Sequence, residues 1–474
     1  MIDRRSLLRA AGILTAGALV ECVAPAATPV PSASAAISLP PSPPPPTTSA
    51  PDWAALGRSL SGTLVRPGDP AYDAARILYN TRFDGVRPQG VARCASPDDV
   101  RACVAFAAQT GVPLALRSGG HSYGGWSTGP GLVIDTGPLS AIQPGQEQVT
   151  VGAGARLIDI YAALPNAGFP GGSCATVGIT GLALGGGVGV MSRRWGLTCD
   201  DLISATVVTA DAQLRACDAQ HEPDLYWALR GGGGSFGVVT SLTLRTHVAG
   251  PVVLAFLSWP YDKATAVIGA WQQWQRQAPD ELWSNLHLDA GPQGDPSLTL
   301  YAVHAGDVAS LVAELDRLDA IVGVRASRGV RASSYLDTML LDAGCAGRTA
   351  SQCHLRGQTP DGALERETYV GKSIVATAAL SASALAALTR GLVGPPAGTS
   401  ASVIFDALGG AVGRVAPDAT AFPHRSAVGV MQFIVSWSAS AAGIEPAALA
   451  WLRSFHERSR SVRRDRFTGS SGSR

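Results

Sequence analysis

The chain has 474 residues, with 37 lysine and arginine residues against 36 aspartate and glutamate residues, and a formal net charge of +1. This length exceeds one ordinary hydrophobic core and predicts two domains with flanking tails. The balanced charge argues against a nucleic acid or an anionic membrane surface as a partner. The 55 glycines are clustered, and such clusters mark places where the backbone adopts positive φ or approaches something bound.

The first 36 residues are predicted to be an export signal. Arg4 and Arg5 precede a short apolar run, Ala10–Val20, which is the pattern of the twin-arginine route. The run is too short for a permanent membrane span, and an amphipathic N-terminal helix is the alternative. Residues 37–51 are rich in proline and predict a linker. We therefore expect a secreted or cell-envelope protein.

In the rest of the chain, the residue pattern changes once, near residue 250. Ser96, Pro97 and Asp99 predict a helix start with a capping box, and buried strands are expected over 112–117 and 132–135. Beyond residue 250 the glycine clusters give way to longer alternating segments, which predict a sheet with covering helices. We expect domains at 52–250 and 251–455, and a disordered or aberrant Arg- and Ser-rich tail at 456–474.

Eight cysteines in an exported chain can form disulfides. Cys345 and Cys353 are close in sequence and form one predicted pair, and Cys94 and Cys103 form another. Cys174 lies in a glycine-rich loop without a neighbouring cysteine.

The first glycine-rich site, Arg117–Gly125, follows a predicted buried strand. Its successive glycines turn N–H groups toward one point, which suits a pyrophosphate, and they leave His121 room to project from the loop. Gly120–Gly124 also fits the G-x-S-x-G elbow of serine hydrolases. That elbow needs a following helix, which the Gly- and Pro-rich segment Trp126–Gly131 cannot start.

Two further glycine-rich sites follow. Gly171–Gly181, continuing to Gly189, contains Cys174, whose uncrowded thiol is predicted to be reactive, with a structural or disulfide cysteine as the alternative. Gly232–Gly237 satisfies G-x-G-x-x-G, but a strand rather than a helix follows it. We therefore reject a nicotinamide-binding Rossmann domain.

These three sites in this order resemble the PCMH-type FAD-binding domain of vanillyl-alcohol oxidase-type flavoproteins. More narrowly they resemble the berberine bridge enzyme-like branch, which includes oligosaccharide and hexose oxidases. The resemblance runs from Ala74 to Phe455, with further matches at 193–201, 369–373 and 422–425. It implies an α+β fold. A two-subdomain FAD-binding domain at 52–250 would precede a substrate domain at 251–455 with a mostly antiparallel sheet covered by helices.

The resemblance implies FAD bonded through its 8α-methyl group to His121 and through C6 to Cys174. A neutral imidazole and a thiolate are the nucleophiles that such bonds require. The residues predicted to hold FAD are Arg117, Ser118, Gly119, Gly120, His121, Ser122, Tyr123, Cys174, Val177, Gly178, Gly181, Gly186, Gly187, Gly189, Leu197, Asp201, Gly237, Val238 and Val239.

The implied reaction is hydride removal from an alcohol or sugar carbon of a small-molecule or oligosaccharide substrate, with O2 reoxidising the flavin to give H2O2. We expect a monomer that uses no metal. Val188 stands where many sugar oxidases of the family have Tyr. No Asn-Tyr segment follows Phe455, so the general base is open, with Asp418 and Tyr123 as candidates. The alternatives are a truncated, poorly active or non-catalytic flavoprotein and, remotely, a serine hydrolase.

Overall fold

The computed structural model describes residues 49–292, 295–441 and 443–461. The predicted export signal, most of the linker and residues 462–474 lie outside this part of the chain. The strands are β1 Thr63–Val65, β2 Gly90–Arg93, β3 Leu114–Arg117, β4 Leu132–Asp135, β5 Ile142–Pro144, β6 Gln148–Gly152, β7 Ala167–Gly168, β8 Leu202–Val208, β9 Leu214–Cys217, β10 Val238–Arg245, β11 His247–Val248, β12 Val252–Trp259, β13 Leu282–Ala290, β14 Pro296–His304, β15 Ser327–Ser333, β16 Tyr369–Ala376, β17 Thr399–Ala407 and β18 Gly429–Trp437.

The α-helices are α1 Trp53–Ser59, α2 Tyr72–Arg76, α3 Pro97–Thr110, α4 Leu157–Ala163, α5 Ile179–Leu184, α6 Ser192–Trp195, α7 Pro223–Leu229, α8 Ala264–Gln277, α9 Val308–Val322, α10 Tyr335–Asp342, α11 Ala382–Leu392, α12 Ala411–Arg414 and α13 Glu445–Ser461. Short 3₁₀ turns lie at Thr81–Phe83, Thr198–Asp201, Tyr261–Lys263 and Ser351–Cys353.

The glycine-rich half contains two main sheets. The four-stranded sheet has the order β1-β2-β4-β3, in which β4 pairs in parallel with β2 and β3. The five-stranded antiparallel sheet has the order β5-β6-β10-β8-β9. Helix α3 begins where the sequence predicted, because the Ser96 hydroxyl accepts the Asp99 N–H at 3.1 Å. The Asp99 carboxylate does not close a capping box and instead accepts the N–H groups of Ala95, Ser61 and Gly62.

The second half is built on a seven-stranded antiparallel sheet with the order β15-β12-β14-β13-β17-β18-β16. Helices α8 and α9 pack together beside it, and Trp274 and Leu315 are fully buried in the largest core cluster. That cluster continues into the five-stranded sheet, so the two halves share one hydrophobic interior. The predicted α+β class, with a mostly antiparallel sheet in the second half, is confirmed.

Besides the capping box, two sequence-based predictions for this architecture need correction, the second of them only in part. Cys94 and Cys103 are both buried free thiols, and Cys94 forms a hydrogen bond with Cys103 that contributes to raising its pKa. The Cys345–Cys353 disulfide is present, with its Cα atoms 6.0 Å apart.

The second correction concerns residues 456–461 of the predicted tail, because α13 continues through Ser461, whereas the prediction for 462–474 lies outside the described residues. Ala448, Leu452 and Phe455 are almost fully buried along one face of α13, at the spacing of a helical stripe. His456 and Ser459 beyond them are buried too. The tail was predicted to be disordered because arginine and serine are abundant there, and composition does not show that the buried residues share one helical face.

A glycine-lined cavity as the candidate active site

A cavity of about 390 Å³ lies between the glycine-rich loops and the seven-stranded sheet. The predicted cofactor residues that line it are Arg117, Ser118, Gly119, Gly120, His121, Ser122, Tyr123, Val177, Gly178, Gly181, Gly187, Gly189, Gly237, Val238 and Val239. All three glycine-rich sites therefore meet at one place. Among the described residues, no group of three His, Cys, Asp or Glu side chains is arranged to hold a metal.

The first loop is fixed by contacts at its start. The Arg117 guanidinium donates to the Ala75 carbonyl at 2.6 Å and forms an ion pair with Asp135 at 3.2 Å. It therefore anchors the start of the loop, although the sequence placed Arg117 among the residues that hold FAD. The backbone then passes so close to the second loop that a Cβ on Gly119 would overlap the backbone nitrogen of Gly178.

His121 lies inside this loop with one of its ring nitrogens bonded. Its Nε2 is 2.8 Å from the Thr176 hydroxyl, and its ring stacks on Tyr79 with centroids 4.0 Å apart. Nδ1 is buried and has no hydrogen-bond partner among the described residues. Burial, assisted by the charge of Arg156, lowers the pKa of His121 to about 3, so its imidazole is neutral.

Four predicted cofactor residues do not line the cavity. Cys174 is half-buried beside the cluster of Tyr123 and Tyr369, although its neighbour Ser173 does line the cavity. Gly186 and Leu197 lie against Phe422. Asp201 is buried and pairs with His247 at 2.8 Å. Gly186, Leu197 and Asp201 thus support the walls from behind.

The sheet contributes the opposite wall, which sequence reasoning missed. Asp406 on β17 lies directly opposite Asn285 on β13, and Gln432 on β18 donates to Asp406 Oδ2 at 2.9 Å. Helix α10 adds Asp342 at its last residue. The residues of the second half that line the cavity are Trp283, Asp342, Ser373, Val375, Asp406, Phe422, His424, Val430 and Gln432.

The two acidic side chains of this wall are strongly perturbed. Burial raises the pKa of Asp406, although the Gln432 hydrogen bond opposes this effect. Burial and the charge of Asp406 raise the pKa of Asp342 to about 8. The indole nitrogen of Trp283 and one carboxylate oxygen of Asp342, both in residues that line the cavity, are buried without a partner among the described residues. Such groups are normally hydrogen-bonded, so the wall is arranged to receive a polar ligand.

The two predicted catalytic candidates fall in different places. Tyr123 lines the cavity, and its hydroxyl donates to Gln432 Oε1 at 3.4 Å. Asp418 is exposed and does not line the cavity, and its backbone carbonyl accepts the Trp227 indole N–H at 2.7 Å. Asp418 is thus poorly placed to act as a base, while Val188, the departure from the sugar oxidases, does line the cavity.

Comparison with known proteins gives a consistent result. A family model described as FAD binding domain matches residues 88–218. The FAD-linked oxidoreductase YgaK of Bacillus subtilis is 31% identical over 389 residues, covering 80% of this chain and 82% of YgaK. The (R)-6-hydroxynicotine oxidase of Paenarthrobacter nicotinovorans is 28% identical over 395 residues, covering 82% of each. The solved structure of BBE-like 1 from Physcomitrella patens has a TM-score of 0.77 and 27% identity, covering 86% of this chain and 88% of that one.

Together the fold and the cavity define an FAD-binding oxidoreductase with two joined halves. The chain belongs to the FAD-linked, berberine bridge enzyme-like family.

The residues present fit FAD. Gly181 and Gly233 both line the cavity, and an added Cβ at either would meet no atom within 4 Å. Because glycine has no side chain beyond a hydrogen, these two positions leave open space in the cavity that any larger residue would occupy. The unpartnered Nδ1 of His121 is a buried nucleophilic atom in the same loop. Among the described residues, no helix is both long and apolar enough to cross a membrane.

Proposed function

We propose that the protein is an exported oxidase that removes hydride from an alcohol or sugar carbon and passes the electrons to O2 to give H2O2. Its FAD is bonded to His121 and to Cys174. The observation that carries this proposal is a single cavity with a buried, neutral His121 on its glycine-lined side and a buried Asp406 on the other.

Within this proposal Asp406 takes the place that the sequence left open for a base. Bound FAD supplies the hydride acceptor. Asp406 accepts the proton of the substrate hydroxyl, and the raised pKa that burial gives it makes it a stronger acceptor than an exposed carboxylate. Gln432 holds the carboxylate through its amide nitrogen and receives the Tyr123 hydroxyl on its amide oxygen.

The hydrogen bonds inside the cavity support an active oxidase over the alternative of a non-catalytic flavoprotein. Asp406, Gln432 and Tyr123 form a buried hydrogen-bonded set in the cavity that does not involve α13. Phe455, where the resemblance ends, is 1% exposed and packs in the core. The hydrogen-bonded set supports a proton-accepting site in the cavity, and the burial of Phe455 supports a packed helix α13.

Two measurements test the oxidase and its cofactor. Denaturing the purified protein in acid should leave the flavin absorbance with the chain, and the double variant of His121→Ala and Cys174→Ala should release it. Hydrogen peroxide release is then measured on a panel of oligosaccharides and simple alcohols. A colourless denatured wild-type chain would reject covalent FAD, and a panel without any H2O2 would reject the oxidase.

Export is tested separately. Replacing Arg4 and Arg5 by lysine keeps the charge and should retain the protein in the cytoplasm if the twin-arginine route is used. Cell fractionation of the wild type and this variant gives the answer, and equal export of both would reject the route.

A further inference from the structure

The contact between His121 and Thr176 bears on which ring nitrogen of the imidazole carries the proton. Thr176 is 3% exposed and lies in the second glycine-rich stretch, two residues after Cys174. Its Oγ1 is 2.8 Å from His121 Nε2, and this is the hydrogen bond of the imidazole. Nδ1, the other ring nitrogen, is buried without a partner among the described residues.

This asymmetry favours one tautomer of the neutral ring. A proton on Nε2 has the Thr176 oxygen as its acceptor, whereas a proton on Nδ1 would be a buried donor without any protein acceptor. Buried N–H groups without a partner are rarer than underused acceptors because their desolvation is not compensated. The hydrogen bond to one ring nitrogen therefore decides which nitrogen carries a lone pair.

The orientation of the ring is fixed as well. Tyr79 stacks on it with an interplanar angle of 18°, and the Tyr79 hydroxyl hydrogen-bonds to Glu367. Because Tyr79 and Thr176 hold the ring from two directions, they oppose the rotation about the Cβ–Cγ bond that would carry Nε2 away from the Thr176 hydroxyl.

We propose that Thr176 is the positioning residue that keeps the imidazole proton on Nε2 and so makes Nδ1 of His121 the nucleophile that bonds FAD. This inference rests on the covalent attachment proposed above and adds the residue that prepares it. Thr176 touches the histidine and not the reacting carbon, so its effect is on attachment rather than on turnover.

The step balances with O2 as the oxidant. The Nδ1 lone pair forms a bond to the 8α carbon, and that carbon loses one hydrogen as a proton. The electron pair of the lost C–H bond stays in the ring system, which is thereby reduced by two electrons, and O2 takes these up to give H2O2. After the bond forms, Nε2 gives up its proton, and the Thr176 hydroxyl can turn from acceptor to donor toward it.

The test uses the Cys174→Ala background, so that His121 is the single tether. Thr176→Val removes the hydroxyl at nearly unchanged volume, and Thr176→Ser keeps the hydroxyl. Intact mass and in-gel flavin fluorescence measure the covalent fraction of each purified protein, followed over time with added FAD in air. Flavin released by denaturation measures bound but unattached FAD.

We expect Thr176→Val to bind FAD and to attach it roughly tenfold to a hundredfold more slowly, because the Nε2 proton loses its acceptor. Thr176→Ser should attach it at close to the parent rate. Equal attachment in Thr176→Val and the parent overturns the proposal, and so does equal loss in both variants, which would mean that shape and not the hydroxyl matters. A Thr176→Val protein holding no FAD of either kind also overturns it, by assigning Thr176 to binding. Covalent flavin persisting in the double variant of His121→Ala and Cys174→Ala would instead reject the attachment at His121 itself.

Discussion

The two sides of the cavity are built in opposite ways. On one side, three glycine-rich stretches between residues 117 and 239 present much exposed backbone together with side chains such as those of His121 and Tyr123. On the other side, strands of the seven-stranded sheet present Asp406, Gln432 and other side chains from distant parts of the chain. The first side is suited to hold a large common cofactor, and the second can vary from one substrate to another.

The difference has a physical cause. A backbone cradle requires glycine at adjacent positions, because close approaches such as that of Gly119 to Gly178 leave no room for a Cβ. A sheet wall requires only that the right residues share a face. Asn285 and Asp406 are directly opposite across two strands but are more than one hundred residues apart in the chain. The following predictions separate these two sides, starting from the largest expected effect.

A substitution at Asp406, on the sheet side of the cavity, should greatly reduce turnover and leave FAD binding intact. For Asp406→Asn we expect kcat to fall by about 10²- to 10⁴-fold, the range of a positioned general base, because the amide cannot accept the substrate proton. Steady-state H2O2 release and the flavin absorbance of the denatured chain measure the two effects. Asp418→Asn is the matched control, since Asp418 is exposed outside the cavity, and it should leave both unchanged. Near-normal kcat in Asp406→Asn would exclude Asp406 as the base.

The same contrast explains what the sequence could reveal. His121, its loop and the meeting of three glycine-rich stretches were predictable, because their residues are contiguous and their glycines are required. Asp406, Gln432 and Asp342 were not, because their roles depend on strand register and on the docking of a helix, which no local pattern encodes. Asp418 was chosen by its position in the chain, and only the fold shows that it lies on the surface.

Helix α13 packs on the sheet side, which Phe455→Ala tests. Its ring lies 5.3 Å from that of Phe433 and is almost completely buried. We expect the free energy of unfolding to fall by about 3–5 kcal/mol, measured by urea denaturation. Arg453→Ala, on the exposed face of the same helix, should change it by less than about 0.5 kcal/mol. Equal small effects would mean that the end of α13 does not pack as described.

A clash on the glycine side should have a smaller effect on folding and a specific effect on the cofactor. Gly119→Ala places a Cβ against the backbone of Gly178 and within 2.9 Å of the Arg156 guanidinium. We expect a loss of about 1–3 kcal/mol in the free energy of unfolding, together with reduced FAD content. Gly129→Ala is the control in the same loop region, because its Cβ would meet only Ala115 at 3.7 Å. Full FAD content in Gly119→Ala would show that the close approach of the two loops is not needed to hold FAD.

The last prediction concerns how stability depends on pH through the sheet wall, where the change within any one pH unit is small. The pKa of Asp342 is raised to about 8 in the folded protein, from about 3.9 in an unfolded chain. Its contribution to stability is therefore fully present below about pH 4 and is lost as the pH rises through 8.

In that window the free energy of unfolding should fall by at most about 1.4 kcal/mol per pH unit from this one group. Asp342→Asn cannot ionise, so its stability should decline less steeply, whereas Asp337→Asn on the exposed face of the same helix should follow the wild type. Urea denaturation at several pH values compares the three slopes. Parallel slopes in all three proteins would mean that Asp342 is ionised in the folded protein. A cation or additional water would then have to accompany it in the cavity, because a buried carboxylate is not stable alone.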